Sequence, residues 1–277
     1  MKTHAQTSRS VIRLSVVAPA HNEEENIDEL VKQVGDALSE LDFEFEFVIV
    51  DDGSTDATKA KVLAHQTHRP WVRCISMINT PPNAGNGQSA AFYAGFRAAQ
   101  GELIALLDAD LQNDPADIPA MLTLLEESDA DFVQGDRSAA RAQGDAKIRQ
   151  LGSWVGRKFR LWVLGDTIRD TGCSLRVMKR EIALQLPLEF KGMHRFIPAT
   201  ARHLGYTVIE MPVSHRHRHA GTPKYGMGIT KRAIPGLIDL FAVRYMRNRR
   251  RPITSIEAIN HAPTDPTKPA REEAIAK

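Results

Sequence analysis

The sequence predicts an α/β fold, a mostly parallel central sheet with helices on both faces. Three observations carry this. Short apolar runs alternate with helix-periodic segments from Leu14 to Val133. Several of these runs stop at acidic turns, where strands of an open α/β sheet deliver side chains to a ligand. The chain has 277 residues, 42% hydrophobic and 25% charged, which suffices for one large domain with a substantial core.

Leu14–Ala18 is a short apolar strand ended by Pro19. Ile27, Leu30, Val31, Val34 and Leu38 then repeat at helical spacing. Phe43–Val50 is a second strand that stops at Asp51-Asp52-Gly53, and Ser54 and Thr55 are placed to cap a helix reaching Leu63. Val72–Ile78 is a third strand. A loop over 79–87 leads into a helix near Ser89–Ala99, and Leu103–Leu107 is the fourth strand. Pro115 opens the next helix, at a position proline tolerates. Phe132 and Val133 begin a fifth strand. In the less regular second half, Ile148, Leu151, Val155, Phe159 and Trp162 mark an amphipathic helix. Cys173–Met178 and Thr207–Val213 read as strands, with a helix near Arg195–Leu204 between them.

These elements define a domain over 14–228, preceded by a disordered N-terminus (1–13). A basic amphipathic helix (229–251) follows, then a disordered tail (252–277) rich in Pro, Thr, Glu and Lys. Net charge is only +2, so no nucleic-acid partner is expected. Cys74 and Cys173 support neither a disulfide framework nor a zinc site, and a reducing compartment is the default. Met1 to Arg13 lacks a signal core, and no apolar run of about 18 residues exists to span a bilayer.

The fourth strand ends Leu107-Asp108-Ala109-Asp110-Leu111-Gln112. Residues i and i+2 of an extended chain point to one side, so Asp108 and Asp110 can aim at one point. Two hard oxygen donors there suit Mg²⁺ or Mn²⁺, and the ion suits a diphosphate. A solvated turn is the plain alternative. The first strand ends Pro19-Ala20-His21-Asn22-Glu23-Glu24, where the acids either favour a helix dipole or meet a ligand. At the second, Asp52 can accept from ribose hydroxyls or serve an Asx turn.

Together these segments resemble family 2 glycosyltransferases of the GT-A fold, whose Rossmann-like sheet they imply. The resemblance rests on Val16–Glu24, Val48–Asp56 and Leu107–Gln112, with Asn83-Ala84-Gly85, Gly87 and Ala90 similar to the family's glycine-containing loop. Asp108–Pro115 is similar to the Asp-Ala-Asp-Leu-Gln-x-x-Pro segment of the polyprenyl-phosphate sugar transferases, the dolichol-phosphate mannose synthase-like branch. Gly135-Asp136-Arg137, Asp170–Arg176 and Arg216–Gly226 resemble three further segments of that branch. Ser174 and Pro223 depart from it, standing where Gly and Ser are usual.

The resemblance implies an inverting, metal-dependent transfer from a GDP- or UDP-sugar to undecaprenyl or dolichyl phosphate. Carried over residue by residue, Pro19, Glu23, Asp52 and Asp108 would hold the nucleotide sugar. Asp108, Asp110 and Gln112 would hold Mg²⁺ or Mn²⁺ with the diphosphate. Arg137, Arg218 and Lys224 would meet the acceptor phosphate, and with Asp110 would carry the catalysis. A hydroxyl acceptor is the alternative, with Asp170 as base; a non-catalytic nucleotide-sugar-binding protein is a second.

From Lys231 onward a short helix is expected, with Ile234, Leu237, Ile238, Phe241 and Tyr245 on one face. Lys231, Arg232, Arg244, Arg247 and Arg249–Arg251 flank it. An apolar face beside arginines fits an interfacial helix on an anionic leaflet. The expected location is cytoplasmic, peripheral on the inner face of the cytoplasmic membrane. A helix docked on the domain with a solvated basic end is the alternative.

Overall fold

The computed structural model describes residues 11–81, 84–139, 147–216 and 229–251. The elements are β1 (Leu14–Ala20), α1 (Ile27–Leu38), β2 (Phe45–Asp51), α2 (Thr58–His68), β3 (Val72–Ser76), α3 (Gln88–Ala98), β4 (Leu103–Leu106) and α4 (Asp117–Glu127). They continue with β5 (Phe132–Asp136), α5 (Lys147–Leu164), β6 (Arg176–Lys179), α6 (Arg180–Gln185), a 3₁₀ turn (Met193–Phe196), α7 (Ile197–His203), β7 (Val208–Pro212) and α8 (Ile229–Arg249).

Seven strands form one sheet in the order β3-β2-β1-β4-β6-β5-β7. β6 runs antiparallel to β4 and β5, and every other pairing is parallel. The expected mostly parallel sheet is therefore present. Its central strands are buried on both faces, which is why β1 and β2 read as near-continuous apolar runs. Alternate residues serve opposite faces. Val16 and Phe47 pack with Ile27, Leu30 and Val34 of α1 and Met121 of α4. Val17, Val50 and Leu106 pack with α3, α6 and α7, joined by Val163 of α5 and Leu240 of α8.

Two local expectations differ. Ser54 and Thr55 do not cap α2, which begins at Thr58 without a side-chain cap from its preceding residue. They clasp the end of β1 instead. Ser54 Oγ accepts from the Asn22 N–H at 3.0 Å, and the Thr55 N–H donates to Asn22 Oδ1 at 2.8 Å. The strand expected from Cys173 starts only at Arg176, because Asp170 turns the preceding residues through its own hydrogen bonds. The C-terminal helix, expected over 229–251, spans Ile229–Arg249 and carries Pro235 inside it. Residues 1–10 and 252–277, part of the two termini expected to be disordered, lie outside the described residues. Arg13 receives the Leu103 N–H on its carbonyl at 2.9 Å. Among the described residues, no helix is long and apolar enough to cross a membrane.

Gly95 lets α3 lie close on the sheet. A Cβ there would come within 2.5 Å of Val17 Cγ1 and 3.0 Å of Val50 Cγ2. Those valines are buried and stiff about χ1. Gly95→Ala gains at most about 1 kcal/mol of helix propensity. Overpacking costs about 1–3 kcal/mol. A net loss of roughly 1–2 kcal/mol in urea unfolding is expected, and unchanged or raised stability would contradict this packing.

Candidate active site

The site forms where β1, β2 and β4 end together. Pro19 costs β1 little, because β1's pairing with β4 stops at Val17–Leu106. Beyond it, His21 Nδ1 donates to the Asp52 carbonyl at 2.8 Å, and the Asp52 N–H donates to the Ala20 carbonyl at 2.9 Å. Glu23 is buried; its Oε2 accepts from Asn26 Nδ2 at 2.7 Å, and its N–H donates to Thr58 Oγ1 at 2.8 Å. The two nucleoside-side carboxylates expected, Glu23 and Asp52, thus sit on one joined pair of strand ends.

Asp52 also organises the glycine loop. Its Oδ1 accepts from the Asn86 N–H at 2.8 Å and its Oδ2 from the Gly87 N–H at 2.7 Å. It therefore holds the N–H groups of the two residues that lead into α3. The glycine loop is shaped to allow this: a Cβ on Gly85 (φ +62°) would fall 2.6 Å from Asp52 Oδ2.

At the end of β4, Gln88 Nε2 donates to Asp108 Oδ1 and Ser174 Oγ donates to Asp108 Oδ2, each at 2.6 Å. Burial, then the Asp110 carboxylate, pushes Asp108 up to about 6, while the Ser174 bond opposes the rise. Asp110 Oδ1 accepts from the Gln112 N–H at 3.2 Å. Between them Leu111 takes φ +62°, a costly conformation for a bulky side chain. Strain of about 1–3 kcal/mol is offset by burial of the leucine, about 1.5–3 kcal/mol. The Gln112 carbonyl receives the Arg216 N–H at 3.0 Å. The chain segment leading toward Arg218 and Lys224 therefore starts beside the acidic turn. Arg218 and Lys224 themselves lie outside the described residues.

Arg137 is buried and paired with Asp170. Its Nε donates to Oδ2 at 2.8 Å and its Nη2 to Oδ1 at 3.1 Å. Burial opposes its charge, but Asp170 outweighs it and holds the guanidinium above its ordinary range. Asp170 Oδ1 also accepts the Gly172 N–H at 3.1 Å. A carboxylate with both oxygens so engaged is poorly placed to act as a general base.

Five residues were not singled out in the sequence. Gln88 and Asn113 hold Asp108, the latter accepting its backbone N–H at 3.2 Å. Buried Arg176 donates to Gln134 Oε1 at 2.9 Å and to the carbonyls of Thr171 (2.9 Å) and His194 (3.2 Å). Burial brings it down to about 10. Ser89 Oγ accepts the His194 N–H at 3.1 Å and lies 2.8 Å from its Nδ1. Burial, then Arg195 and Arg176, push His194 down to about 3, so its imidazole is neutral. Side-chain amides in a glycine-rich loop carry no distinctive spacing, so Gln88 gave no signal.

For a divalent ion, the donor set fits in kind: two hard carboxylates and the Gln112 amide. Both oxygens of Asp108 already accept from Gln88 and Ser174, and Asp110 Oδ1 accepts from the Gln112 N–H. Among the described residues, no cluster of three His, Cys, Asp or Glu side chains surrounds one point. A metal here would draw its remaining ligands from the diphosphate and water.

Residues 15–186 match the model for glycosyl transferase family 2. The chain belongs to this family. It is 36% identical over 244 residues to dodecaprenyl-phosphate galacturonate synthase of Rhizobium johnstonii, covering 87% of this chain and 69% of that protein. It is 34% identical over 219 residues to undecaprenyl-phosphate 4-deoxy-4-formamido-L-arabinose transferase of Proteus mirabilis, covering 79% of this chain and 64% of the relative. The chain thus spans about two thirds of the length of these relatives. Glucosyl-3-phosphoglycerate synthase from Mycobacterium tuberculosis, solved with Mn²⁺ and UDP, superposes with a TM-score of 0.60 at 21% identity, over 84% of this chain and 80% of that one. That likeness establishes the GT-A fold. The protein is a glycosyltransferase.

The raised Asp108 has a consequence for this glycosyltransferase. Its carboxyl binds a proton more tightly folded than unfolded, so its stabilisation is full at low pH. That contribution is lost as pH rises from about 4, the ordinary carboxylate value, through about 6. Without divalent metal, the melting temperature of wild type relative to Asp108→Asn should fall across this window. A constant difference would show that Asp108 ionises in the fold as readily as in the unfolded chain.

Proposed function

We propose that this glycosyltransferase moves a sugar, with inversion, from a nucleoside-diphosphate sugar to a polyprenyl phosphate. The observation that carries the acceptor is the Arg137–Asp170 pair. A hydroxyl acceptor would require a carboxylate base, and the candidate for it is bound on both oxygens. A phosphate acceptor is already ionised near pH 7 and needs no base. Two relatives named for transfer to polyprenyl phosphates support the same reading.

In this reading the domain is 14–228. Pro19, Glu23 and Asp52 hold the nucleoside of a GDP- or UDP-sugar. Asp52 does so with the lone pairs its loop contacts leave over. Asp110, with Asp108 or Gln112, would hold Mg²⁺ or Mn²⁺, which supplies charge neutralisation for the departing diphosphate. Gln88 and Ser174 fix the Asp108 carboxylate, so that it needs little rearrangement when the donor arrives. Arg137, with Arg218 and Lys224, orients the acceptor oxyanion toward the anomeric carbon.

The acceptor lives in a bilayer, and α8 offers a way to meet it at the inner face of the cytoplasmic membrane. Leu240 and Val243 dock α8 on the domain, while Ile234 and Ile238 stay 60% and 63% exposed. Leu237, Phe241 and Tyr245 are exposed beside them. Not all the arginines are available to lipid: Arg244 and Arg247 donate to the Val163 and Leu164 carbonyls at the C-terminus of α5. Arg249, Arg250 and Arg251 are exposed. Each is worth about 1 kcal/mol near an anionic surface.

Two experiments follow. A donor panel against undecaprenyl phosphate, read by mass spectrometry, should give a glycosyl phospholipid, and Asp110→Asn should remove most of the activity. Lys224→Ala and Arg218→Ala should each slow transfer about ten- to a hundredfold with donor affinity kept. This is the worth of a charge-assisted contact of roughly 1.5–3 kcal/mol. Loss of donor affinity at an unchanged saturated rate would move that loop to the donor side.

For the membrane, truncation is a poor probe, because α8 contributes core residues. Ile234→Glu with Ile238→Glu should instead leave the melting temperature nearly unchanged and abolish sedimentation with anionic liposomes. Wild-type protein that ignores such liposomes at low salt would remove α8 from the membrane.

A further inference from the structure

Helix α5 carries a guanidinium that the proposed transfer does not use. Arg160 points inward, with Nε 2.7 Å from buried Asp166 Oδ2, a contact ion pair without hydrogen-bond alignment. Its Nη1 donates to Thr171 Oγ1 at 2.8 Å, and its Nη2 donates to the Ile168 carbonyl. Asp166 Oδ1 accepts the Ile168 N–H at 3.1 Å. One side chain thus ties the start, middle and end of the 166–171 loop to a helix. The Thr171 carbonyl is meanwhile held by Arg176 Nη2 at 2.9 Å. Thr171 is gripped from both sides, and the residue before it is Asp170.

We infer that Arg160 is a positioning residue for Arg137, acting through Thr171 and Asp170. The inference rests on the acceptor-phosphate role proposed for Arg137. A bidentate pair holds its direction only while both carboxylate oxygens keep their register. Asp170 sits on a loop between α5 and β6, and Arg160 is an α5 side chain that holds that loop. Its planar fork suits this task where a lysine's single ammonium would not. Small misplacement of a group that orients the acceptor is costly: about 1 Å can lose about a hundredfold in rate.

The test is steady-state kinetics on the full chain, with undecaprenyl phosphate in detergent and the donor the panel identifies. Arg160→Met should raise the KM for the lipid phosphate at least about tenfold, with the Kd for UDP or GDP unchanged. Arg160→Lys should fall between wild type and Arg160→Met. Thr171→Val, which removes one contact and little volume, should raise the same KM about two- to tenfold. In an Arg137→Ala background, Arg160→Met should add no further loss, the mark of two residues acting as one unit. Additive losses, or an unchanged acceptor KM with a lowered melting temperature, would make Arg160 a purely structural residue. Should Arg160→Met not fold, Thr171→Val decides on the same criteria. If Arg137→Ala itself leaves the acceptor KM unchanged, the assignment of Arg137 fails first, and that outcome is separate from failure of Arg160 alone.

Discussion

Four consecutive residues at the start of α3 hold the site together. The N–H groups of Asn86 and Gly87 bind Asp52 at the end of β2. The Gln88 side chain binds Asp108 at the end of β4, and Ser89 binds His194 on the 3₁₀ turn. Elements that are distant in sequence meet on one helix terminus. The residues entering the helix supply two backbone N–H donors and a side-chain amide, and the strand ends supply the carboxylates. Because Gly95 lets α3 lie directly on Val17 and Val50, this terminus is fixed relative to the same strands whose ends it gathers.

Charge is distributed so that the fold tolerates acids that a ligand would otherwise have to organise. Asp108 and Asp110 repel each other in a partly buried place, and Asp108 responds by holding its proton more tightly. Arg137 and Arg176 lie close enough for their fields to favour the ionised Asp108. Neither meets it as a direct partner; Arg137 is paired with Asp170, and Arg176 with an amide and two carbonyls.

Much of the fold was legible because parallel strands buried on both faces must be apolar throughout. Leu14–Ala18, Val48–Val50 and Leu103–Leu107 stand out for that reason. Asp108 and Asp110 stood out only together with the acidic ends of the first two strands, because an Asp-x-Asp alone serves a solvated turn equally well. The partners of those acids did not stand out. Gln88 and Ser174 reach Asp108 across 20 and 66 residues of chain, and such contacts leave no local pattern. Ser54 and Thr55 misled because a Ser or Thr before a helix looks alike whether it caps or clasps a neighbouring turn. The outward face of α8 was read correctly as apolar, but the inward face of Leu240 and Val243 was hidden in the same short segment. Two roles for the arginines, capping α5 and facing solvent, could be separated only in three dimensions.

In the proposed reading, the acids at the ends of β2 and β4 form a donor site completed by a divalent ion. Calorimetric titration of UDP and GDP, with and without Mn²⁺, tests it most directly. Mn²⁺ should tighten binding of one of the two nucleotides by about tenfold or more, as expected where a divalent ion neutralises carboxylate and diphosphate charge together. Equal affinity with and without the ion, for both nucleotides, would contradict it.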